Sequence, residues 1–278
     1  MTTPQLHSAR ETPVAGPAVP ALAARAWDAL GFEWIKLRSV RSNSWTVLIA
    51  ALVTIGLTAI IAHSFAAAPG PPPGGPMTPL SESFLGYAEY TVIPVSVLGV
   101  LVFTSEYSTG LIRTTVTAVP RRWAVLAAKA AVTGTAALAI GEVLAFALFF
   151  LTQAILSGGH RGISLSSPGA PAAVLAAGFV LCACVLVGLG LGAIIRHTAG
   201  AIAATIGVIY LVGVLCLVLP PPWNVRIGRF TLPFAAYQVV ARHSQPGLFS
   251  PGVSLLVLIA WPAVILVTAG VLLARRDL

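Results

Sequence analysis

Six runs of apolar residues, separated by polar or proline-rich segments, divide the chain. Each run is about twenty residues long, enough to cross roughly 30 Å of hydrocarbon at 1.5 Å per residue. The runs lack the alternating polarity of membrane strands, and a backbone in lipid must form its hydrogen bonds within its own segment, so we predict helices. The predicted spans are residues 45–62, 84–104, 130–156, 173–195, 199–219 and 253–273. The expected fold is an all-α, polytopic membrane protein.

Three segments outside the spans have patterns of their own. Residues 1–25 are rich in proline, alanine and threonine without apolar periodicity, which predicts a disordered cytoplasmic tail. Residues 26–43 predict an amphipathic helix at the membrane interface, because apolar side chains recur there at intervals of three and four. Residues 220–252 are only partly polar, which indicates a short outer segment that re-enters the bilayer or lies at its interface. The apolar positions of the interfacial helix are Trp27, Leu30, Trp34 and Leu37.

Composition supports a membrane protein. Hydrophobic residues make up 57% of the 278 residues and charged residues 9%, whereas about a quarter of an ordinary soluble domain is charged. Too few charges are present to cover the surface of a water-soluble fold. The three cysteines, Cys182, Cys184 and Cys216, all lie within apolar runs, so we interpret them as small core residues rather than as disulfides or metal ligands.

The formal net charge of +8 reflects membrane topology rather than nucleic-acid binding. Only two lysines occur, and the arginines lie mostly at the ends of apolar runs. With the N-terminus in the cytoplasm, twelve of the sixteen basic residues fall on that side and four on the other: Arg161, Arg226, Arg229 and Arg242. This bias predicts six crossings with both termini cytoplasmic. A cleaved secretory signal is the alternative for the first run, but about 44 residues precede that run, far more than a usual signal has.

The segment 105–119, between the second and third spans, has the most specific pattern in the chain. Thr104 or Ser105 could cap a short helix, and Glu106 would favour the positive end of its dipole. Pro120 would end that helix before the basic start of the third span. The local pattern fits two interpretations equally, a solvated loop and a contact surface for a partner.

Three stretches resemble the membrane subunit of a type-two ABC exporter, and the resemblance extends over residues 27–278. They are the lead-in Phe32–Ser39, the stretch Glu106–Arg113 and the terminal Arg275–Asp277. The resemblance implies that the segment 105–119 is the coupling helix, which docks on a cytoplasmic ABC ATPase subunit. It makes Glu106, Tyr107, Gly110 and Arg113 candidate contacts with that subunit.

The same resemblance implies the function. The chain would be the permease subunit of an ATP-driven exporter in the cytoplasmic membrane of a bacterium, paired with a second copy or a homologous permease. The expected cargo is a hydrophobic or amphipathic compound, such as a drug or antibiotic. No Gly-Lys-Ser/Thr phosphate-binding loop occurs in this sequence. We therefore expect no enzymatic activity, bound cofactor or nucleic-acid partner here, with ATP and Mg²⁺ used by the ATPase subunit.

Glu89 and Glu142 are the only acidic residues within the predicted spans. An intramembrane carboxylate is a candidate functional group because burying it is costly. The two could lie on a substrate path or act as a proton-sensitive pair. Alternatively, each could be protonated, hydrogen-bonded to a neighbouring helix or close to the outer interface. Two other functions therefore stay open: a proton-coupled carrier using these acids, and a non-transporting anchor or regulator of a cytoplasmic partner.

The predicted topology can be tested by labelling single introduced cysteines in intact cells. We expect a membrane-impermeant maleimide to label Thr78→Cys, in the first outer loop, and to leave Thr114→Cys unlabelled until the cells are permeabilised. The native cysteines provide little background because they lie in apolar runs. Labelling of Thr114→Cys in intact cells would place the segment 105–119 outside and contradict the predicted orientation.

Overall fold

The computed structural model describes residues 22–67, 83–84, 87, 91–108, 122–158, 162–241 and 247–275, without the side chains of 22–29, 108 and 122. These residues form nine helices. They are α1 (Leu22–Ser39), α2 (Arg41–Ala67), α3 (Ile93–Ser108), α4 (Arg122–Ser157), α5 (Ala170–Ile195), α6 (Thr198–Val218), α7 (Trp223–Gly228), α8 (Leu232–Ala241) and α9 (Pro251–Arg275).

Five of these helices, α2, α4, α5, α6 and α9, are long and apolar enough to cross a membrane. They coincide with five of the six predicted spans. The other predicted span, residues 84–104, corresponds in the described residues to α3, a shorter apolar helix of 16 residues. The sixth crossing and the side on which the termini lie stay predictions.

Helix α5 forms the centre of the bundle and is the most buried of the five long helices. Its neighbours pack closely because small residues face them. A Cβ atom on Gly188 would collide with the backbone oxygen of Ser96, and one on Gly192 would lie 3.0 Å from the backbone oxygen of Val100. The small residues of α5 thus let the backbone of α3 approach closely.

Ser83, Tyr87 and Glu106 contact α4 in antiparallel order. The Gln153 amide donates a hydrogen bond to the Ser83 hydroxyl (3.1 Å), and the Lys129 ammonium donates to the Glu106 carboxylate (2.6 Å). Between them, the Tyr87 hydroxyl approaches the carbonyl oxygen of Gly141 at 3.5 Å. Residues 129 and 153 are twenty-four positions apart, or about 36 Å along the helix. These three residues therefore contact α4 at points spread over most of its length.

Helices α5 and α6 form the hairpin expected from their short connection. Arg196 adopts a left-handed conformation (φ 59°) and ends α5, with its backbone N–H donating to the Gly192 oxygen. His197 begins α6, where its Nδ1 accepts a hydrogen bond from the backbone N–H of Gly200 (3.2 Å). These caps satisfy backbone groups that each helix leaves unpaired and so fix the tight corner.

The bundle has two chemically different ends. At one end, the last turns of α3, α5 and α9 meet the first turns of α4 around Phe103, Leu126, Ala193 and Leu273. We call this the basic end, since it also carries Arg38, Arg41, Lys129, Arg196 and Arg275. At the opposite end, α7 and α8 pack between α6 and α9: a Cβ on Gly213 would lie 2.9 Å from Pro233, and the Trp261 indole donates to the Phe230 oxygen (3.0 Å). We call this the aromatic end.

The close approach of α3 to α5 predicts a specific cost for adding one methyl group. Gly188→Ala should destabilise the protein by about 1–3 kcal/mol, because the Ser96 carbonyl leaves no room for a Cβ. This change should lower the thermal unfolding midpoint of the detergent-solubilised protein by several degrees. Gly56→Ala is the matched control, since that position in α2 has open space around it. Equal midpoints for the two variants would contradict the packing described.

Candidate functional site

Four charged side chains converge near the basic end: Glu33 and Lys36 from α1, Glu106 from α3 and Lys129 from α4. We call this group the charge cluster. It includes both lysines of the chain and two of its eight acidic residues. In a protein with so few charges, this concentration marks the cluster as its main ionic feature.

Lys129 lies at the centre of the cluster. Its ammonium donates to Glu33 Oε2 at 2.7 Å and to Glu106 Oε1 at 2.6 Å. The Lys36 ammonium also donates to Glu106 Oε1. The Lys129 side chain is 1% exposed, whereas that of Lys36 is 30% exposed. A lysine buried to this degree requires charged partners, and here two helices supply them.

The local sequence explains the position of each group. Lys129 lies two turns inside α4, whose preceding residues 123–128 are apolar and bring the lysine into the bundle. Glu33 and Lys36 are three positions apart on α1 and therefore share one side of that helix. Glu106 lies in the last turn of α3, at the start of the segment 105–119 predicted to contact a partner. The cluster thus joins three helices at the end of α3.

The charge cluster consists of two pairs of residues, and each pair has a net charge of zero. Glu33 and Lys36 on α1 carry one charge of each sign, and so do Glu106 and Lys129 on the bundle. If α1 moved away, Lys129 would keep Glu106, and Glu33 could pair with Lys36 within its own helix. Separation would therefore leave no uncompensated charge in the bundle, which is the condition for a reversible contact of this kind.

Glu106 has one further capacity. Its Oε1 accepts from both lysines, while its buried Oε2 has no hydrogen-bond partner in the described part of the chain. An ionised carboxylate oxygen in this position can accept another hydrogen bond.

The structure describes two of the four predicted partner-contact residues. Glu106 is 2% exposed and belongs to the charge cluster, so its carboxylate faces the bundle. Tyr107 packs against Phe103, with ring centroids 5.7 Å apart, and the Arg196 guanidinium lies 5.2 Å from its ring centroid. Gly110 and Arg113 lie outside the described residues. The expected helix start at Thr104 or Ser105 is wrong, because α3 continues through Ser108.

Of the two predicted intramembrane acids, Glu142 lies within the described residues and Glu89 lies outside them. Glu142 is on α4, thirteen positions beyond Lys129 and about 20 Å from it along the helix. Its carboxyl group contacts Gly178 of α5, where any Cβ would collide with it. One of its oxygens is buried without a hydrogen-bond partner among the described residues. Glu142 is therefore separate from the charge cluster.

Helix α1 is oriented by its charged residues. Glu33 is buried against the bundle, whereas Phe32, Trp34 and Ile35 are exposed. Trp34 belongs to the predicted apolar face of this helix. The structure shows that the polar side faces α4 and that the exposed side is aromatic, as expected for a helix that contacts lipid.

The ion pair between Lys129 and Glu33 was not predicted from the sequence. Lys129 directly precedes the predicted third span, where it counted only as one of the twelve cytoplasmic basic residues. The signal that could have identified the cluster is the apolar sequence on both sides of Lys129, together with the scarcity of lysine. A lysine enclosed by apolar residues needs an acidic partner from another segment.

The unequal burial of the two lysines predicts unequal effects of removing them. Lys129→Met should cost about 3–5 kcal/mol, since it leaves Glu33 buried without its partner. Lys36→Met should cost less than about 1 kcal/mol, because Lys36 is partly exposed and Glu106 keeps Lys129. Unfolding of both variants in detergent measures the difference, and equal destabilisation would contradict a central role for Lys129.

Comparison with protein-family models and with curated proteins finds no match to the chain.

Proposed function

We propose that the chain is the permease subunit of an ATP-driven exporter of the type-two ABC family, located in the cytoplasmic membrane of a bacterium. The five long apolar helices support a membrane location. Large apolar side chains are exposed along α2 and α9, as is typical of surfaces that contact lipid. They include Leu48, Ile49, Leu52, Val264 and Val267. The proposed cargo is a hydrophobic or amphipathic compound, such as a drug or antibiotic.

The observation that carries the proposal is the position of the charge cluster beside the segment 105–119. Lys129 links the end of α3 to the start of α4, the two helices that flank this segment in sequence. It also links both helices to α1. Movement imposed on the segment by an ATPase subunit would therefore be transmitted to three helices rather than absorbed by a loose connection.

This arrangement gives the four predicted partner-contact residues different roles. Glu106 acts inside the bundle, where it holds Lys129, rather than at the surface of the ATPase subunit. Gly110 and Arg113 remain the proposed contacts. Tyr107 precedes them in the sequence, and the Arg196 guanidinium lies 5.2 Å from its ring centroid. The ATPase subunit would supply ATP hydrolysis with Mg²⁺, and no nucleotide would bind to this chain.

A six-span topology is also proposed. Ser83 and Glu106 contact α4 at residues about 36 Å apart along that helix, which is more than the thickness of a bilayer core. The six crossings would then alternate in direction, with the basic end in the cytoplasm as the charge bias requires.

Transport would need a second permease, either another copy or a homologue. The fifth span carries a strip of small residues at Gly200, Ala204 and Gly207. A Cβ on Gly207 would have open space around it, so this part of the strip packs against no described residue. Gly207 is therefore available for contact with the second permease, and alternation of the pair would move the cargo.

One observation favours a second candidate function. Glu142 has a buried oxygen without a described hydrogen-bond partner, which is a feature expected of a proton-coupled carrier. Measuring the efflux of a hydrophobic dye such as ethidium from cells distinguishes the proton-coupled carrier from the ATP-driven exporter. A carrier requires Glu142, so Glu142→Gln would abolish its flux, whereas the exporter should lose more from Glu106→Gln.

Affinity purification of the tagged chain from its native membrane tests the exporter directly. We expect a stoichiometric partner with Walker motifs, whose ATP turnover changes on assembly with this chain. Arg113→Glu should reduce recovery of that partner by roughly tenfold, because it reverses a charge at the proposed contact.

Arg161→Glu is the matched control, since Arg161 lies on the predicted outer side, and it should leave recovery unchanged. A stoichiometric complex with an unrelated regulator, and with no ATPase, would overturn the exporter and favour a membrane anchor. Equal loss of the ATPase in both variants would contradict the proposed contact.

A further inference from the structure

The aromatic end carries two arginines, Arg226 and Arg229, that the proposed transport cycle does not use. Arg226 lies in the last turn of α7, and Arg229 directly follows that helix with helical backbone angles. Positions three apart in such a segment lie on one face. Neither forms an ion pair with a described carboxylate. The Nε atom of Arg229 is buried and has no hydrogen-bond partner among the described residues.

Aromatic rings fix the position of Arg229. The central carbon of its guanidinium lies 5.0 Å from the ring centroids of both Phe230 and Phe249, and those centroids are 5.1 Å apart. The three groups thus form a nearly equilateral triangle. Cation–π contacts orient the guanidinium but supply no negative charge. Arg226 lies similarly near the Trp223 ring, at 5.9 Å.

Two contacts show where Arg226 and Arg229 lie relative to the ends of α6 and α9. Pro233 packs against Gly213, which is five residues, or about 7 Å, inside the end of α6. The Phe230 oxygen accepts from the indole of Trp261, which is ten residues, or about 15 Å, inside the start of α9. With α6 and α9 crossing the bilayer as proposed, these depths place Arg226 and Arg229 near the boundary between lipid headgroups and acyl chains.

The surface around the arginines has the composition of a membrane interface. Trp223, Ile227 and Phe230 are exposed on the same short segment. Tryptophan beside arginine is typical of the level where the phosphates of lipid headgroups lie. Two arginines three positions apart at that level are chemically suited to a phosphate group, which guanidinium groups bind through charge-assisted hydrogen bonds.

We infer that Arg226 and Arg229 bind the phosphate of a phospholipid headgroup in the leaflet at the aromatic end. Trp223, Ile227 and Phe230 contact the acyl chains or glycerol of the same lipid. The inference rests on the proposed membrane crossing and is independent of the ATPase partner. It would fix α7 and α8 to one leaflet while the other helices move.

Photolabelling with a phosphatidylglycerol that carries a photoreactive headgroup tests the inference in detergent-solubilised full-length protein. We expect labelling of the peptide 220–232, and competition by unlabelled phosphatidylglycerol but not by diacylglycerol with the same acyl chains. The double variant Arg226→Gln/Arg229→Gln should reduce that labelling by roughly tenfold or more, since charged hydrogen bonds are lost.

Replacing both arginines by lysine should restore part of the labelling, because the charge is kept. Labelling of α1 peptides provides an internal control for folding and should be equal in all variants. Undiminished labelling of the glutamine double variant would overturn the inference, as would equal competition by diacylglycerol. Complete competition by inorganic phosphate at the same concentration would show a free-anion site and would overturn the lipid assignment. Failure to recover an ATPase partner would contradict the proposed exporter but would leave this labelling unchanged. The two failures are therefore distinguishable.

Discussion

The rest of the structure depends on how the ammonium of Lys129 is neutralised inside an apolar bundle. Removing this charge from water has a large cost, which attraction to nearby carboxylates must offset. Glu33 and Glu106 lie within 2.7 Å of the ammonium, and each comes from a different helix. The arrangement of α1, α3 and α4 therefore follows from one buried charge as much as from apolar packing. In lipid, apolar side chains provide little preference for one neighbouring helix over another, so such a contact can select the correct partners.

The charge cluster also allows a firmly packed core around α5 to exist beside a helix, α1, that can move. The core around α5 is held by close backbone contacts at Gly188 and Gly192, which leave little freedom for sliding. Helix α1 packs at the edge, and its two members of the charge cluster, Glu33 and Lys36, carry opposite charges. Separation of α1 would cost the contact with Lys129 but would leave each half of the cluster neutral. The fold thus combines a rigid centre with a peripheral helix whose release is electrostatically permitted.

Local patterns predicted the fold more fully than the site. Apolar run length located five long helices, because a membrane span is determined by the residues within it. The hairpin at Arg196 also followed from its short polar connection. The charge cluster did not, since Glu33 and Lys129 are ninety-six positions apart and only tertiary packing brings them together. For the same reason, Glu106 looked like a surface residue in sequence, although α3 continues past it and turns its carboxylate inward.

The coupling free energy between Glu33 and Lys129 tests the central claim most directly. A double-mutant cycle with Glu33→Gln, Lys129→Met and their combination, followed by reversible unfolding in detergent, isolates this pair from the other contacts of each residue. The account predicts a favourable coupling of at least about 1 kcal/mol, because both groups are buried and hydrogen-bonded. Additive effects of the two substitutions, with a coupling near zero, would contradict a bundle organised around Lys129.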